Sequence, residues 1–256
     1  MNSNTNIGFA VQHSNQLKHA HYFKDHIYGI PDFSFNRLNK KDLATASFDN
    51  NINIYDIEKL IYVKTLSGHE KGVWCCEYSN NDSLLVSGSN DCSFILWDTI
   101  SYKNIAQVKN YHDDTIYDVV FNDKIIATCS KGKVFTWDSK KLDKPLSSFE
   151  FDNKFILSLA FIENKLIAGF INGTIAVLDY SKNKILSELK IPFPNKPEEN
   201  LDSGNGVIFS LYRYIILRLI RIVKIILLLQ VYQMAQLEHF PLKMIKLLRI
   251  LLIHVD

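Results

Sequence analysis

Short apolar runs separated by polar turns repeat through the first 190 residues of the chain. Each repeat closes with a run such as 93–97, whose period-two pattern predicts a β-strand. The closing pairs are Tyr55-Asp56, Trp97-Asp98, Trp137-Asp138 and Leu178-Asp179. Their aspartates lie 42, 40 and 41 residues apart. This regular spacing indicates one structural unit repeated four times.

Two further apolar runs precede each closing run. The opening runs are residues 27–30, 73–76, 116–119 and 156–159. The middle runs are residues 43–46, 84–87, 125–128 and 166–169. Several strands within about forty residues predict an all-β array of small antiparallel sheets.

The second repeat contains the most specific motif. Gly68-His69, Ser87, Asp91 and Trp97-Asp98 resemble the WD-repeat blade of β-propellers. The resemblance implies a buried tetrad in which Asp91 accepts a hydrogen bond from His69, His69 contacts Ser87, and Ser87 accepts from the Trp97 indole. Such a paired network stiffens a blade, so we interpret the set as structural and expect no catalytic residue.

The other repeats match this pattern in part. The first has Phe23 at the histidine position, followed by Thr45, Asp49 and Tyr55. The third keeps His112, Thr128 and Trp137, but its turn at 130–133 contains no aspartate. In the fourth, Asp152, Ala168, Asn172 and Leu178 leave no tetrad. We therefore predict a WD-repeat propeller of four to five blades in an incomplete ring, with residues 206–211 beginning a fifth.

Aromatic residues recur at positions that line the narrow face of WD propellers. The candidate partner-binding residues are Tyr28, Phe48, Trp74, Tyr117 and Phe155, with His26, Gly72, Asn90, Thr115, Leu157 and Ile171 projected beside them. Tyr and Trp are enriched among interface hot spots. The alternative is that some of these residues are semi-buried around a central channel.

Three features resemble one WD subfamily, the small WD-repeat subunit of the superkiller complex, which in animals also belongs to the polymerase-associated factor complex. They are the segment 154–161, the turn at Gly132 and a long first-blade hairpin at 32–42. The resemblance implies an adaptor in cytoplasm or nucleus that binds a helical-repeat subunit of an RNA-decay complex. It implies no direct contact with nucleic acid.

Composition supports a binding protein rather than an enzyme. The 29 Lys and Arg nearly balance 27 Asp and Glu, so bulk charge selects no partner. The four cysteines have no zinc-site spacing, and no phosphate-binding or nucleophile motif is present. We expect no cofactor, no metal and a reducing compartment. The polar segment 1–22 lacks the apolar run of a signal peptide.

The residues beyond 211 differ from the repeats. From 201 to 256 there are seven Lys or Arg against three Asp or Glu. Four basic residues interrupt the apolar run, so a membrane span is disfavoured. They are Arg213, Arg218, Arg221 and Lys224.

Two hypotheses remain for the tail 212–256: a basic amphipathic anchor for a membrane-peripheral half-propeller, or a remnant of further blades read in a shifted frame. In a shifted frame, the Met234-Ala235 codons force a turn glycine like Gly173. The predicted domains are thus 1–22, 23–211 and 212–256.

Overall fold

The computed structural model describes the backbone of residues 7–13, 16–36, 38, 41–81 and 83–190, and within these ranges the side chains from residue 21 onward. Sixteen β-strands lie in this part of the chain, joined by turns and loops. The all-β prediction is confirmed for these residues. The predicted fifth repeat at 206–211 and the tail 212–256 lie outside them.

The strands pair with their neighbours in chain order. The hairpin consists of β1 (Ile7–His13) and β2 (Gln16–Phe23). The first four-stranded sheet consists of β3 (Asp32–Phe35), β4 (Asp42–Ala46), β5 (Asn51–Asp56) and β6 (Ile61–Ser67). The second consists of β7 (Val73–Tyr78), β8 (Leu84–Ser89), β9 (Phe94–Asp98) and β10 (Lys103–Val108). Sequential antiparallel pairing of this kind needs only short connections.

Six more strands follow in the same order. They are β11 (Asp118–Asn122), β12 (Ile125–Asp138), β13 (Ser147–Ile162), β14 (Lys165–Phe170), β15 (Thr174–Asp179) and β16 (Lys184–Lys190). The chain divides into two compact units, Met1–Thr128 and Cys129–Asp256, and the division falls within β12. The first unit contains both four-stranded sheets, and the second contains β13 to β16.

The aspartate that closes each repeat also ends its strand. One side-chain oxygen of Asp56 accepts the backbone N–H groups of Glu58 and Lys59, at 3.0 and 2.9 Å. Asp98 accepts those of Ile100 and Ser101 in the same way. An aspartate that takes up amides two and three residues ahead favours a turn over a continued ladder. The local sequence therefore fixes where β5 and β9 stop.

The core of the first unit lies between its two four-stranded sheets. Ala44, Ala46, Ile52 and Ile54 of the first sheet pack against apolar side chains of the second. The facing residues are Val73, Cys76, Tyr78, Leu85, Ile95 and Trp97. All are at most 3% exposed. Burying each large side chain contributes roughly 1.5–3 kcal/mol, so this layer is the main source of cohesion between the sheets.

One prediction for the first repeat is wrong. Residues 27–30 form a loop rather than a strand, and Ile27 is 75% exposed. Residues 32–42 contain β3 and the connection to β4, and the two strands pair as a hairpin. Polar side chains hold β3 in place: Asp32 accepts the N–H of Cys76 at 3.0 Å, and Ser34 accepts that of Tyr78 at 3.2 Å. The apolar pattern at 27–30 could not reveal contacts with a strand forty residues away.

Buried histidine networks and a candidate partner-binding surface

A closed hydrogen-bond network crosses the second sheet. His69 Nδ1 lies 2.9 Å from Asp91 Oδ2, and His69 Nε2 lies 2.8 Å from Ser87 Oγ. The Trp97 indole donates to Ser87 Oγ at 2.9 Å. The backbone N–H of Glu70 also donates to Asp91, at 2.9 Å. We call these side chains the His69 network.

The chemistry of its two ends fixes two of the donors in the His69 network. An indole N–H can only donate and a carboxylate can only accept. The Trp97 indole therefore donates to Ser87, and His69 Nδ1–H donates to Asp91, while the Ser87 hydroxyl also bonds to His69 Nε2. Burial acts to raise the pKa of Asp91, but the hydrogen bond and charge interaction with His69 outweigh it, together with the hydrogen bond from Ser93. The net pKa of Asp91 lies well below its ordinary value of 3.8.

The serine, histidine and aspartate of this network resemble a hydrolase triad only in composition. Ser87 has no solvent exposure, and its oxygen already contacts the Trp97 indole. A triad serine must present its oxygen to a substrate carbonyl. The arrangement therefore serves packing and not nucleophilic attack.

The first sheet contains an equivalent network built on His26. His26 Nδ1 lies 2.7 Å from Asp49 Oδ2, and His26 Nε2 lies 2.7 Å from Thr45 Oγ1. The N–H of Ile27 donates to Asp49 at 3.2 Å, as that of Glu70 does to Asp91. His26, Thr45 and Asp49 form the His26 network. Burial pushes the pKa of Asp49 upward, but the contacts with His26 lower it overall.

Two sequence interpretations of this repeat are wrong. Phe23 does not take the histidine position. It packs against the Leu43 side chain and the Tyr55 ring in a separate apolar cluster. His26 does not line the narrow face, because it is 5% exposed and bonded on both ring nitrogens. The signal was present in the spacing, since His26 precedes Asp49 by 23 residues and His69 precedes Asp91 by 22.

Tyr55 occupies the place of the tryptophan in this repeat. Its ring is 1% exposed, and its hydroxyl accepts from the Asn53 amide at 3.2 Å. Burial raises the pKa of Tyr55 far above its ordinary value, so the phenol stays neutral. A neutral hydroxyl can both donate and accept, which suits a buried polar cluster.

The third and fourth repeats carry less of the network. His112 Nε2 lies 2.8 Å from Thr128 Oγ1. Trp137 is fully buried and lies beside Phe135. In the fourth repeat, Lys165 donates to Asp179 at 2.9 Å.

Asp179 is the carboxylate that closes the fourth repeat. Hydrogen bonds from Ser181 and Lys165 lower the pKa of Asp179 to about 2. The Ser181 contact measures 2.7 Å, and the Asp179 side chain is almost fully buried. The fourth repeat therefore uses an ion pair at its closing aspartate, while Ala168 and Leu178 provide apolar packing at the tetrad positions.

Three of the predicted partner-binding residues form a contiguous aromatic cluster in the first unit. The rings of Phe48 and Trp74 meet edge to face at a centroid distance of 4.9 Å, and those of Trp74 and Tyr117 at 5.6 Å. The Trp74 indole N–H donates to Asn90 Oδ1, which also accepts from Thr115 Oγ1 at 2.9 Å. We call Phe48, Trp74 and Tyr117 the aromatic cluster. Its rings are fixed before any partner arrives.

Two glycines lie directly beside the cluster. A Cβ atom at Gly72 would lie 3.1 Å from the Phe48 side chain and backbone, and one at Gly29 would lie 3.3 Å from the Phe48 ring. The missing side chains let Phe48 lie close to the loops. Phe48 and Trp74 remain partly exposed, whereas Tyr117 is 9% exposed and acts mainly as a support.

The other two predicted partner-binding residues lie elsewhere. Tyr28 is in the loop between β2 and β3 and is 58% exposed. Phe155 belongs to the second unit, where the Lys131 ammonium lies 5.0 Å from its ring centroid. Lys131 is a feature that sequence analysis missed. Its contact arises because Lys131 and Phe155 are paired across β12 and β13.

The described residues were also searched for metal-binding clusters and membrane-spanning helices. Within those ranges, no group of three or more His, Cys, Asp or Glu side chains is arranged to hold a metal ion. The same ranges contain no helix of the length and apolarity needed to cross a membrane.

Comparison with known proteins identifies the repeat. Residues 61–98 match the family model described as WD domain, G-beta repeat. The chain is 30% identical over 134 residues to WD repeat-containing protein 37 of Mus musculus, covering 50% of this chain and 26% of that protein. It is 35% identical over 106 residues to mitotic checkpoint protein bub-3 of Caenorhabditis elegans, covering 41% and 30%. The chain thus spans about a quarter to a third of the length of these relatives.

The matched stretch runs from β6 to the end of β9 and contains every residue of the His69 network. The prediction of an all-β fold with WD-type repeats is therefore confirmed, and residues 61–98 are the stretch that matches the family model.

Proposed function

We propose that this protein is a non-enzymatic adaptor that binds a protein partner through the aromatic cluster. The observation that carries this proposal is the geometry of Trp74, a partly exposed indole held by two neighbouring rings and by Asn90. Large rigid aromatic side chains bind at low entropic cost, because little rotamer freedom is left to lose. The cluster therefore has the properties of an interface hot spot.

The proposal can be tested by site-specific crosslinking in cells. Replacing Phe48 by the photoreactive residue p-benzoylphenylalanine preserves an aromatic ring at this position. The matched control places the same residue at Ile100, which is 83% exposed and lies in the turn after β9. We expect discrete protein adducts from position 48 and none of the same mass from position 100. Identical adducts from both positions, or none from position 48, would contradict the proposal.

The finer assignment is an adaptor of a superkiller-type RNA-decay complex in the cytoplasm or nucleus. It is supported by the resemblance of residues 154–161, the turn at Gly132 and the first repeat. The partner would then be a helical-repeat subunit. Binding of the purified chain to that subunit, with Trp74→Ala as the weakened variant, tests this assignment. Absence of binding would remove the finer assignment and leave the adaptor proposal untouched.

A second candidate rests on the basic apolar sequence beyond residue 211, which lies outside the described residues. It would attach the blades to an anionic membrane surface. Sedimentation with phosphatidylserine vesicles separates the two candidates. The full chain should bind vesicles more than a version ending at Lys190 if the tail is an anchor, and equally if it is not.

A further inference from the structure

A side-chain amide borders the aromatic cluster. Asn90 Oδ1 accepts hydrogen bonds from the Trp74 indole and, at 2.9 Å, from Thr115 Oγ1. The Asn90 backbone is fixed as well, because its N–H donates to Gly72 O at 2.9 Å. The residue is partly exposed. Its side chain therefore reaches the surface in a fixed orientation.

The two hydrogen bonds to Oδ1 decide which way the Asn90 amide points. An indole N–H can only donate, so the atom that it meets must be the carbonyl oxygen of the amide and not the nitrogen. The amide nitrogen Nδ2, with its two N–H donors, lies on the opposite side. Among the residues that the structure describes, Asn90 Nδ2 makes no hydrogen bond. The surface beside the cluster thus carries an unused donor.

Gly72 brings this donor close to the Phe48 ring. A Cβ atom at Gly72 would lie 3.1 Å from the Phe48 side chain and 3.4 Å from Asn90 Nδ2. Phe48 and the amide therefore border the same small space, and Trp74 contacts both. The apolar surface and the donor are close enough for a single residue of a partner to meet them together.

The charges around Asn90 decide what kind of acceptor fits. The thiol of Cys92 lies 3.8 Å from the backbone oxygen of Asn90. Burial is the main reason that the pKa of this thiol is raised, and three carboxylates raise it further against one ammonium that lowers it. The carboxylates belong to Asp114, Asp91 and Asp113, and the ammonium to Lys71. Such surroundings disfavour a carboxylate as the acceptor and favour a neutral carbonyl.

We propose that the partner presents a peptide segment whose main-chain carbonyl accepts from Asn90 Nδ2 and whose apolar side chain lies on Phe48 and Trp74. This inference rests on the proposed function and adds the chemistry of the partner. An acidic side chain does not fit because the carboxylates repel it, and a cation does not fit because it cannot accept a hydrogen bond. The donor gives the site direction, since one hydrogen bond fixes how the peptide backbone lies relative to the rings.

Asn90→Asp tests the donor within the crosslinking experiment at position 48. The variant keeps an oxygen for the Trp74 indole and the Thr115 hydroxyl but replaces the amide nitrogen by a second oxygen. The yield of adducts should fall about tenfold, because a hydrogen bond is lost and two oxygens then face each other. Asn104→Asp is the matched control. It adds the same charge at an exposed position of β10 and should leave the yield unchanged.

The outcomes separate this inference from the proposed function. An unchanged yield with Asn90→Asp would overturn the inference and leave the adaptor proposal standing. An increased yield would also overturn it, because the occupant would then be a cation. If position 48 gives no adduct even with Asn90 intact, the proposed function fails and the inference fails with it.

A small probe tests the same chemistry on the purified full chain. N-acetyl-leucine-N-methylamide carries an apolar side chain between two neutral carbonyls, whereas sodium acetate offers only a carboxylate. In nuclear magnetic resonance spectra of isotope-labelled protein, the leucine probe should shift the Asn90 side-chain amide and the Trp74 indole together. Acetate at the same concentration should shift neither. Equal shifts with acetate, or no shift with the leucine probe, would overturn the inference.

Discussion

Buried polar residues connect the turn, the histidine and the strand inside each of the first two blades. The His26 and His69 networks each connect a turn aspartate, a histidine and a strand hydroxyl over bonds of 2.7–2.9 Å. Closed networks of this kind stabilise a fold only while every member is paired. Removing one member is therefore expected to cost more than the one bond it makes.

Ser87→Ala should lower the free energy of unfolding by about 2–4 kcal/mol, because it leaves the Trp97 N–H and His69 Nε2 buried without partners. Urea denaturation of the purified chain measures this change. Ser148→Ala is the matched control, since Ser148 is exposed on β13, and it should shift the midpoint little. Similar midpoints for both variants would show that the network contributes little stability.

The lowered pKa of Asp91 predicts how stability changes with acid. A carboxylate whose pKa is lower in the folded state stabilises it fully above its unfolded pKa of 3.8 and loses that contribution as the pH falls toward the folded pKa. Asp91→Asn should thus be less stable at pH 7 and show a flatter decline between pH 4 and 2. Denaturation midpoints across this range measure both effects, and parallel curves would contradict the argument.

At the scale of single residues, the sequence motif located the His69 network but not the His26 network. Gly68-His69 carries the family motif, whereas His26 follows Asp25 and has no glycine directly before it. The spacing of 23 residues to Asp49 favours His26 over Phe23, and the contact between the loop and the Asp49 turn confirms it in three dimensions.

The turns between the second and third strands set the geometry of each blade. Asn50, Cys92 and Gly173 take positive φ angles of 71°, 63° and 79° at equivalent positions. In the third repeat, Gly132 lies within β12 and has a φ of 73°. A Cβ at Gly132 would lie 3.1 Å from the carbonyl oxygen of Phe151. This position therefore requires glycine for both conformation and space.

Gly132→Ala should destabilise the protein by about 1–2 kcal/mol through left-handed strain and this close contact. Gly132→Asn should cost less, because asparagine tolerates the left-handed region better than alanine. Thermal denaturation of both variants measures the difference. If alanine and asparagine prove equally harmful, crowding rather than backbone strain dominates at this position.

Strand ends were predictable because each closing aspartate caps its own turn, as Asp56 and Asp98 show. The strand predicted at 27–30 was wrong for the opposite reason. Its neighbours in sequence do not determine its structure; a distant turn does, through the bond from Ile27 N–H to Asp49. Local pattern predicts elements whose hydrogen bonds are local and fails where a loop is held from afar.

The two compact units differ in how their interiors are bonded. The first unit contains both complete histidine networks, while the fourth repeat in the second unit has Ala168 and Leu178 at the corresponding positions. Local stability in repeat proteins is a sum of contributions from each repeat and its neighbours. Stability should therefore vary along the chain.

Hydrogen exchange should show this gradient directly. Amides of β8 and β9 are expected to exchange more slowly than those of β14 and β15, because opening the second blade also breaks the His69 network. Ser87→Ala should reduce the difference by accelerating exchange in β8 and β9 alone. Uniform protection across all four strands would mean that apolar packing, and not the networks, sets local stability.

The proton between each buried imidazole and its aspartate is shielded from water. His26 and His69 are 5% and 8% exposed, and their Nδ1–H groups point at carboxylates. Such a proton exchanges slowly enough with solvent to give its own resonance, far downfield of the amide region. These two protons are natural spectroscopic probes, one for each of the first two blades. Their separate disappearance on heating or on partner binding would show which blade opens first, without any label.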